Sequence, residues 1–108
     1  MARSEAHLAM EDILVELFGS AHAEYQFHPL RKWRFDYAVF FDRWKLACEI
    51  DGGAWINGRH NRASGWQKDK EKFNTAEIMD WGHLHFTPRE VLNGQAEQTL
   101  KAWKKART

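Results

Sequence analysis

The chain has 108 residues, of which 44% are hydrophobic and 29% charged, with a formal net charge of +1. That balance describes one globular domain spanning 1–108 with a single core, and it excludes a disordered segment or a pair of domains. No apolar run is long enough for a bilayer, "MARSEAHLAMED" lacks a signal-peptide core, and the one cysteine excludes an internal disulfide. A cytoplasmic protein with no membrane partner is expected.

In "AMEDILVELF" the residues Met10, Ile13, Leu14, Leu17 and Phe18 recur at helical spacing, and Gly19 is a natural stop. "EYQFH" predicts a short strand ended by His28-Pro29. "WRFDYAVFF" and "RWKLACEID" predict two further strands, apolar on both faces and therefore central in a sheet covered on each side. Cys48 alternates with Leu46 and Ile50 and reads as a core residue. "GGAWINGRHNRASG" predicts a loop, long for so small a domain. "WQKDKEKFNTAEIMDW" predicts a helix, "HLHFT" a strand, and "PREVLNGQAEQTLKAWKKA" one helix opened by Pro88. The order is αβββαβα, an α/β domain with a mixed central sheet flanked by helices.

The acids of the third strand raise the functional question. "WKLACEIDGG" begins as a buried strand and then places Glu49 and Asp51 just before two glycines. With Asp42-Arg43 as a two-residue turn, Phe41 faces Trp44 and Asp36 falls opposite Glu49; a four-residue turn preserving this register would serve equally. Opposed residues of an antiparallel pair lie about 4.5–5.5 Å apart and share a face. Asp51, two residues beyond Glu49, points the same way. Three carboxylates then converge, and each pair repels by about 3 kcal/mol at an effective dielectric of about 20. A cation or a retained proton offsets that repulsion. An all-oxygen donor set favours a hard ion, Mg²⁺ or Mn²⁺. The plainer alternative pairs Asp36 and Glu49 separately with Arg34, Lys45 or a loop arginine.

On the following helix Trp66, Asp69, Phe73, Ala76 and Met79 form an inward stripe at 100° intervals, and Lys72 lies inside it. A lysine there either snorkels to solvent or reaches the carboxylates and stabilises developing phosphate charge. The loop adds Arg59, His60 and Arg62, and the helix Lys68, all suited to phosphate contacts, although His60 also fits a plain surface position. The tail "KAWKKART" is basic, as a polyanion partner or a solvated helix end would both allow.

Asp36 on one strand and "Glu49-Ile50-Asp51" on the next resemble the PD-(D/E)XK nuclease superfamily. The longer pattern "EIDGG…GRH…DKEKFNTAEIMDWGHLHFTP", with Gly82, Leu84 and Phe86 in the final strand, is similar to small phage and bacterial endonucleases of the very-short-patch-repair-like branch. The resemblance covers Phe27 to Pro88. It implies a restriction-endonuclease-like core, DNA as partner, Mg²⁺ or Mn²⁺ as cofactor, and a bacterial or phage-infected cell. The metal would lie on Asp36, Glu49 and the Ile50 carbonyl, with Asp51 and Lys72 completing the catalytic set. Phe35 departs from the superfamily's proline, and Asp51 stands where its lysine would be. Lys72 is the replacement the helix offers, and Glu11 rather than Glu16 is the acid of the first helix best placed to join.

The expected activity is metal-dependent hydrolysis of DNA phosphodiesters, on branched or otherwise structured DNA among other forms. Trp55 and Trp66 beside the cleft are candidates for base stacking, with core packing the plainer use of Trp66. A homodimer would suit two-strand cutting. The alternative is a non-catalytic nucleic-acid-binding module on the same scaffold, which loss of the motif lysine permits. A zinc enzyme is disfavoured because His83 and His85 have no CxxC or HxxxH beside them. An HNH nuclease is disfavoured because "HNR" at His60 has no second histidine at the required helical position.

Overall fold

The computed structural model describes the backbone of residues 4–52, 55–56, 59–60 and 63–108, and the side chains of 4–52 and 69–108. The first helix, α1 (Glu5–Phe18), starts where the Ser4 side chain accepts the His7 N–H and stops at Gly19, whose φ of 88° only glycine adopts readily. Ala6, Met10 and Leu14 form its buried stripe. Then come β1 (His22–Gln26), β2 (Arg34–Phe41) and β3 (Trp44–Ile50). β1 begins two residues earlier than "EYQFH" suggests, and Phe27 beyond it is a buried core residue. The turn that follows is held by His28, whose Nδ1 accepts the Leu30 and Arg31 amides.

The segment expected to be all loop contains a small antiparallel hairpin, β4 (Trp55–Ile56) with β5 (Arg59–His60). Helix α2 (Ala63–Ile78) begins three residues before the sequence pattern does. β6 (Gly82–Phe86) follows as expected.

The expected single helix over 88–106 is two helices, α3 (Pro88–Leu92) and α4 (Gln95–Lys105). Thr87 and Glu90 form a reciprocal capping box around Pro88 at the start of α3. The break is local chemistry: Gly94 takes φ 96°, and the Asn93 side chain accepts the Gln95 N–H at 3.0 Å.

The main sheet runs β1-β2-β3-β6, antiparallel except for the parallel pair β3–β6, which α2 connects. α1, α3 and α4 cover one face through Met10, Leu14, Val91 and Leu100, against Tyr37, Val39, Leu46 and Cys48. Each such fully buried aliphatic side chain contributes about 1.5–3 kcal/mol. The other face carries Ala38 and Ala47 under Ala76 of α2, joined by Phe27, Phe35 and Trp81. This is a single α/β domain with a four-stranded mixed sheet between helices. Among the described residues no helix is long and apolar enough to cross a membrane.

Candidate metal and phosphate site

The β2–β3 turn is the two-residue one, with Phe41 opposite Trp44 and Asp42 in the left-handed region at φ 54°. The ladder runs back from there only to Tyr37 opposite Cys48. At the next position Asp36 and Glu49 do not form the regular pair that the sequence predicts. Glu49 Oε2 accepts the Asp36 amide at 2.6 Å, and Asp36 Oδ2 accepts the Ile50 amide at 2.8 Å. Two carboxylates thus take the places of two ladder carbonyls.

The cause lies in a twist shared by β1 and β2. Ala23 and Tyr37, opposite one another, pack into the core beneath α1, whereas the next pair, Tyr25 and Phe35, packs into the core beneath α2. Residues two apart on a regular strand share a face, so the alternation breaks between them. The register skips Glu24 and Asp36, and Glu24 has φ 52°. Phe35 stacks on Phe27 at 4.2 Å between centroids and so holds the turned segment. Asp36 is left between the two helical layers. Its Oδ1 lies 4.0 Å from His7 Nε2 on α1.

Glu49 is 7% exposed. Burial pushes its carboxyl up to about 7, and the neighbouring charge of Asp36 adds to the rise while Lys72 opposes it. Lys72 does reach across from α2. Its Nζ lies 3.0 Å from Glu49 Oε1 and 2.5 Å from the Arg34 carbonyl, beside the rings of Phe73 and Phe35. With 13% of its side chain exposed, it is not a snorkelling lysine. Asp69, expected on the same inward stripe, is exposed.

Asp51, on the same face as Glu49, has a partner of its own. Its Oδ2 is 2.8 Å from His85 Nδ1, and the other ring nitrogen of His85 is 3.1 Å from His83 Nδ1. The bond to Asp51 raises the pKa of His85, whereas burial, helped by His85, lowers that of His83. The parallel register sets Glu49 directly beside His85. Gly52, next in chain, passes so close to Pro88 that a Cβ would lie 2.7 Å from its ring, which accounts for a glycine after Asp51.

The third carboxylate of the expected cluster therefore binds a histidine, and among the described residues no group of three or more His, Cys, Asp and Glu side chains converges to hold a metal. Asp36 and Glu49 remain as paired oxygen donors. The Ile50 amide points at Asp36, and in an extended strand the carbonyl of the same residue points to the same side. Two carboxylates and a carbonyl suit a hard divalent ion whose remaining positions are filled by water or substrate oxygen. Excess negative charge around buried Glu49 is the condition that such an ion relieves.

Other residues fall outside this cluster. Arg59 and His60 lie on β5, but their side chains, that of Lys68 and all of Arg62 lie outside the described residues, as do the side chains of Trp55 and Trp66. Glu11 faces the Tyr37 hydroxyl at 3.4 Å, and Glu16 is exposed. Sequence reasoning missed His7, one turn before Glu11 on the same face of α1, and it missed the partnership of Asp51 with His85. The i, i+4 spacing of His7 and Glu11 was the available signal for the first; the β3–β6 register had none. Cys48 is fully buried, which pushes its thiol up and leaves it inert. No protein family, curated protein or solved structure matches the chain.

Proposed function

We propose that this chain is a metal-dependent DNA endonuclease with a PD-(D/E)XK-like, restriction-endonuclease-like core. The observation that carries the reading is the interrupted hairpin, in which Asp36 and Glu49 meet in place of ladder carbonyls and Lys72 stands 3.0 Å from Glu49. A structural ion pair alone needs neither the second carboxylate nor the broken ladder. The order of elements and the mixed sheet agree with such a core.

In this reading Asp36, Glu49 and the Ile50 carbonyl hold Mg²⁺ or Mn²⁺. Bound there, the ion supplies a polarised phosphate oxygen and a water of lowered pKa. Lys72, steered by the Arg34 carbonyl, brings a fixed positive charge to the phosphate oxygens as negative charge grows on them. It thereby fills the role left open by Asp51 at the lysine position. His85, oriented by Asp51, can hold or pass a proton at the nitrogen it shares with His83. Arg59, His60, Arg62 and Lys68 take flanking phosphates.

A second reading, a DNA-binding module without catalysis, draws on the engagement of Asp51 with His85 and of Glu49 with Lys72. Incubation with linear, branched, mismatched and single-stranded DNA in Mg²⁺, Mn²⁺ or EDTA separates the two. Cleavage in either metal and none in EDTA is expected. DNA binding without cleavage, together with no calorimetric heat of divalent-ion binding, would establish the second reading instead.

A further inference from the structure

At the other end of β3 from Glu49, a cavity of about 610 Å³ opens between the β2–β3 turn and the ends of α2 and α4. This lies within the range of about 300–1,000 Å³ usual for small-molecule sites. Three indoles line it, Trp44, Trp81 and Trp103, and only Trp44 keeps substantial exposed surface, at 37%. Arg43, Lys45 and Arg107 share the space. The Arg107 guanidinium lies 4.2 Å from the Trp103 ring and 5.1 Å from that of Trp44. Arg43 is also 5.1 Å from Trp44, and the Lys45 ammonium is 5.0 Å from Trp81.

Glu77 and Asp80 line the same cavity. Among the described residues, however, neither forms an ion pair with these three cations; the partner of Glu77 is His83, at 4.0 Å. Arg107 donates one N–H to the Trp103 carbonyl at 3.2 Å, but its buried Nε has no acceptor among the described residues. Native structures rarely leave such a donor unsatisfied. The cavity therefore offers aromatic surface and an excess of one positive charge. A quaternary ammonium, the other usual guest of indole walls, would meet three cations there. A planar ring carrying an anion meets those cations as partners, and they outnumber the two carboxylates by one.

We propose that this cavity binds a nucleotide, its base stacked against the Trp44–Arg107 layer and its phosphate held by Arg107 and Arg43. Glu77 and Asp80 are then acceptors for the amino groups of adenine or cytosine. The proposal deepens the nuclease reading by giving the DNA a second hold. It rests on that reading for the strand's role, while binding at the cavity is measured apart from cleavage. Trp44 and Glu49 are five residue steps apart along β3, or about 17 Å at about 3.3 Å per residue. That distance is about five nucleotide steps along a duplex strand.

The test is tryptophan-fluorescence titration of the full chain in EDTA with 5′-dAMP, 5′-dCMP and a six-residue oligodeoxyadenylate. Trp44→Ala should weaken oligonucleotide binding about tenfold or more, the scale of losing one stacking platform. Arg107→Lys, which keeps the charge but loses the planar guanidinium stacked on the indoles, should weaken it several-fold. Arg43→Gln, in an exposed turn, substitutes for either variant that fails to fold. Monophosphates that compete as well as the oligonucleotide identify a free nucleotide as the ligand; competition by the oligonucleotide alone identifies a strand. Wild-type protein that binds neither, or variants that all bind like wild type, overturns the assignment. If the cavity binds nucleotides and no DNA is cut in Mg²⁺ or Mn²⁺, the nuclease reading alone fails. If DNA is cut and the variants bind like wild type, the cavity alone fails.

Discussion

The two ends of β3 handle charge in opposite ways. At its C-terminal end Glu49 is buried, a second carboxylate lies against it, and one ammonium opposes them. At its N-terminal end the cations of Arg43, Lys45 and Arg107 rest on indole faces at the rim of a cavity. Desolvation makes the first group of charges strong and mutually dependent, because each loses the water that would otherwise screen it. Stacking leaves the second group hydrated in part and available to a ligand. In the proposed reading, one end changes the charge on a bound group and the other holds on to one.

The sharpest way to break this contrast is to neutralise the buried end. Asp36→Asn or Glu49→Gln should lower cleavage by about a thousandfold or more, the upper scale for losing one electrostatic group, while DNA affinity changes little. Filter binding and single-turnover cleavage on the same substrate check both statements. Full cleavage by both variants removes the pair from the site.

The burial of Glu49 also has a signature without any substrate. Its carboxyl sits near 4.5 in the unfolded chain and at about 7 in the fold, so the native state binds the proton more tightly. The stability it contributes is fully present below about pH 4.5 and is lost as pH rises through about 7, a loss of about 3 kcal/mol. His85, raised by Asp51, adds to the decline, and His83, lowered by burial, opposes it. Melting temperatures in EDTA should therefore fall between pH 5 and pH 8, and Glu49→Gln should flatten the curve. A wild-type melting temperature that climbs across that interval would falsify the buried-charge account.

Lys72→Ala should slow single-turnover cleavage by about a hundredfold and remove at most about one phosphate contact from the salt dependence of binding. Arg59→Ala and Arg62→Ala should do the reverse. A Lys72→Ala rate within a few-fold of wild type would return Lys72 to a structural role. The smallest effect belongs to the stacked end. Arg43→Ala should weaken DNA binding a few-fold and flatten the salt slope by about one, and an unchanged slope would show that this rim touches no phosphate.

Much of the architecture was legible in the chain because its signals are local. The apolar stripe of α1, its stop at Gly19, the two-residue turn at Asp42-Arg43 and the inward position of Lys72 all depend on residues within a few turns of one another. The helix break at Asn93-Gly94 was equally local, and an Asn-Gly pair inside a helical pattern is a signal for it. Tertiary structure decided the rest. Regular alternation sets Asp36 squarely opposite Glu49. Only the joint twist of β1 and β2, fixed where Phe35 stacks on Phe27 and meets Trp81 edge-on, turns that pair into an exchange of carboxylates for carbonyls. Only the parallel docking of β6 gives Asp51 a histidine, and only the return of the chain end to the β2–β3 turn sets Arg107 between Trp44 and Trp103. Periodicity reports which way a residue points along its own element; which residues meet across elements depends on packing between segments distant in sequence, and no local pattern encodes it.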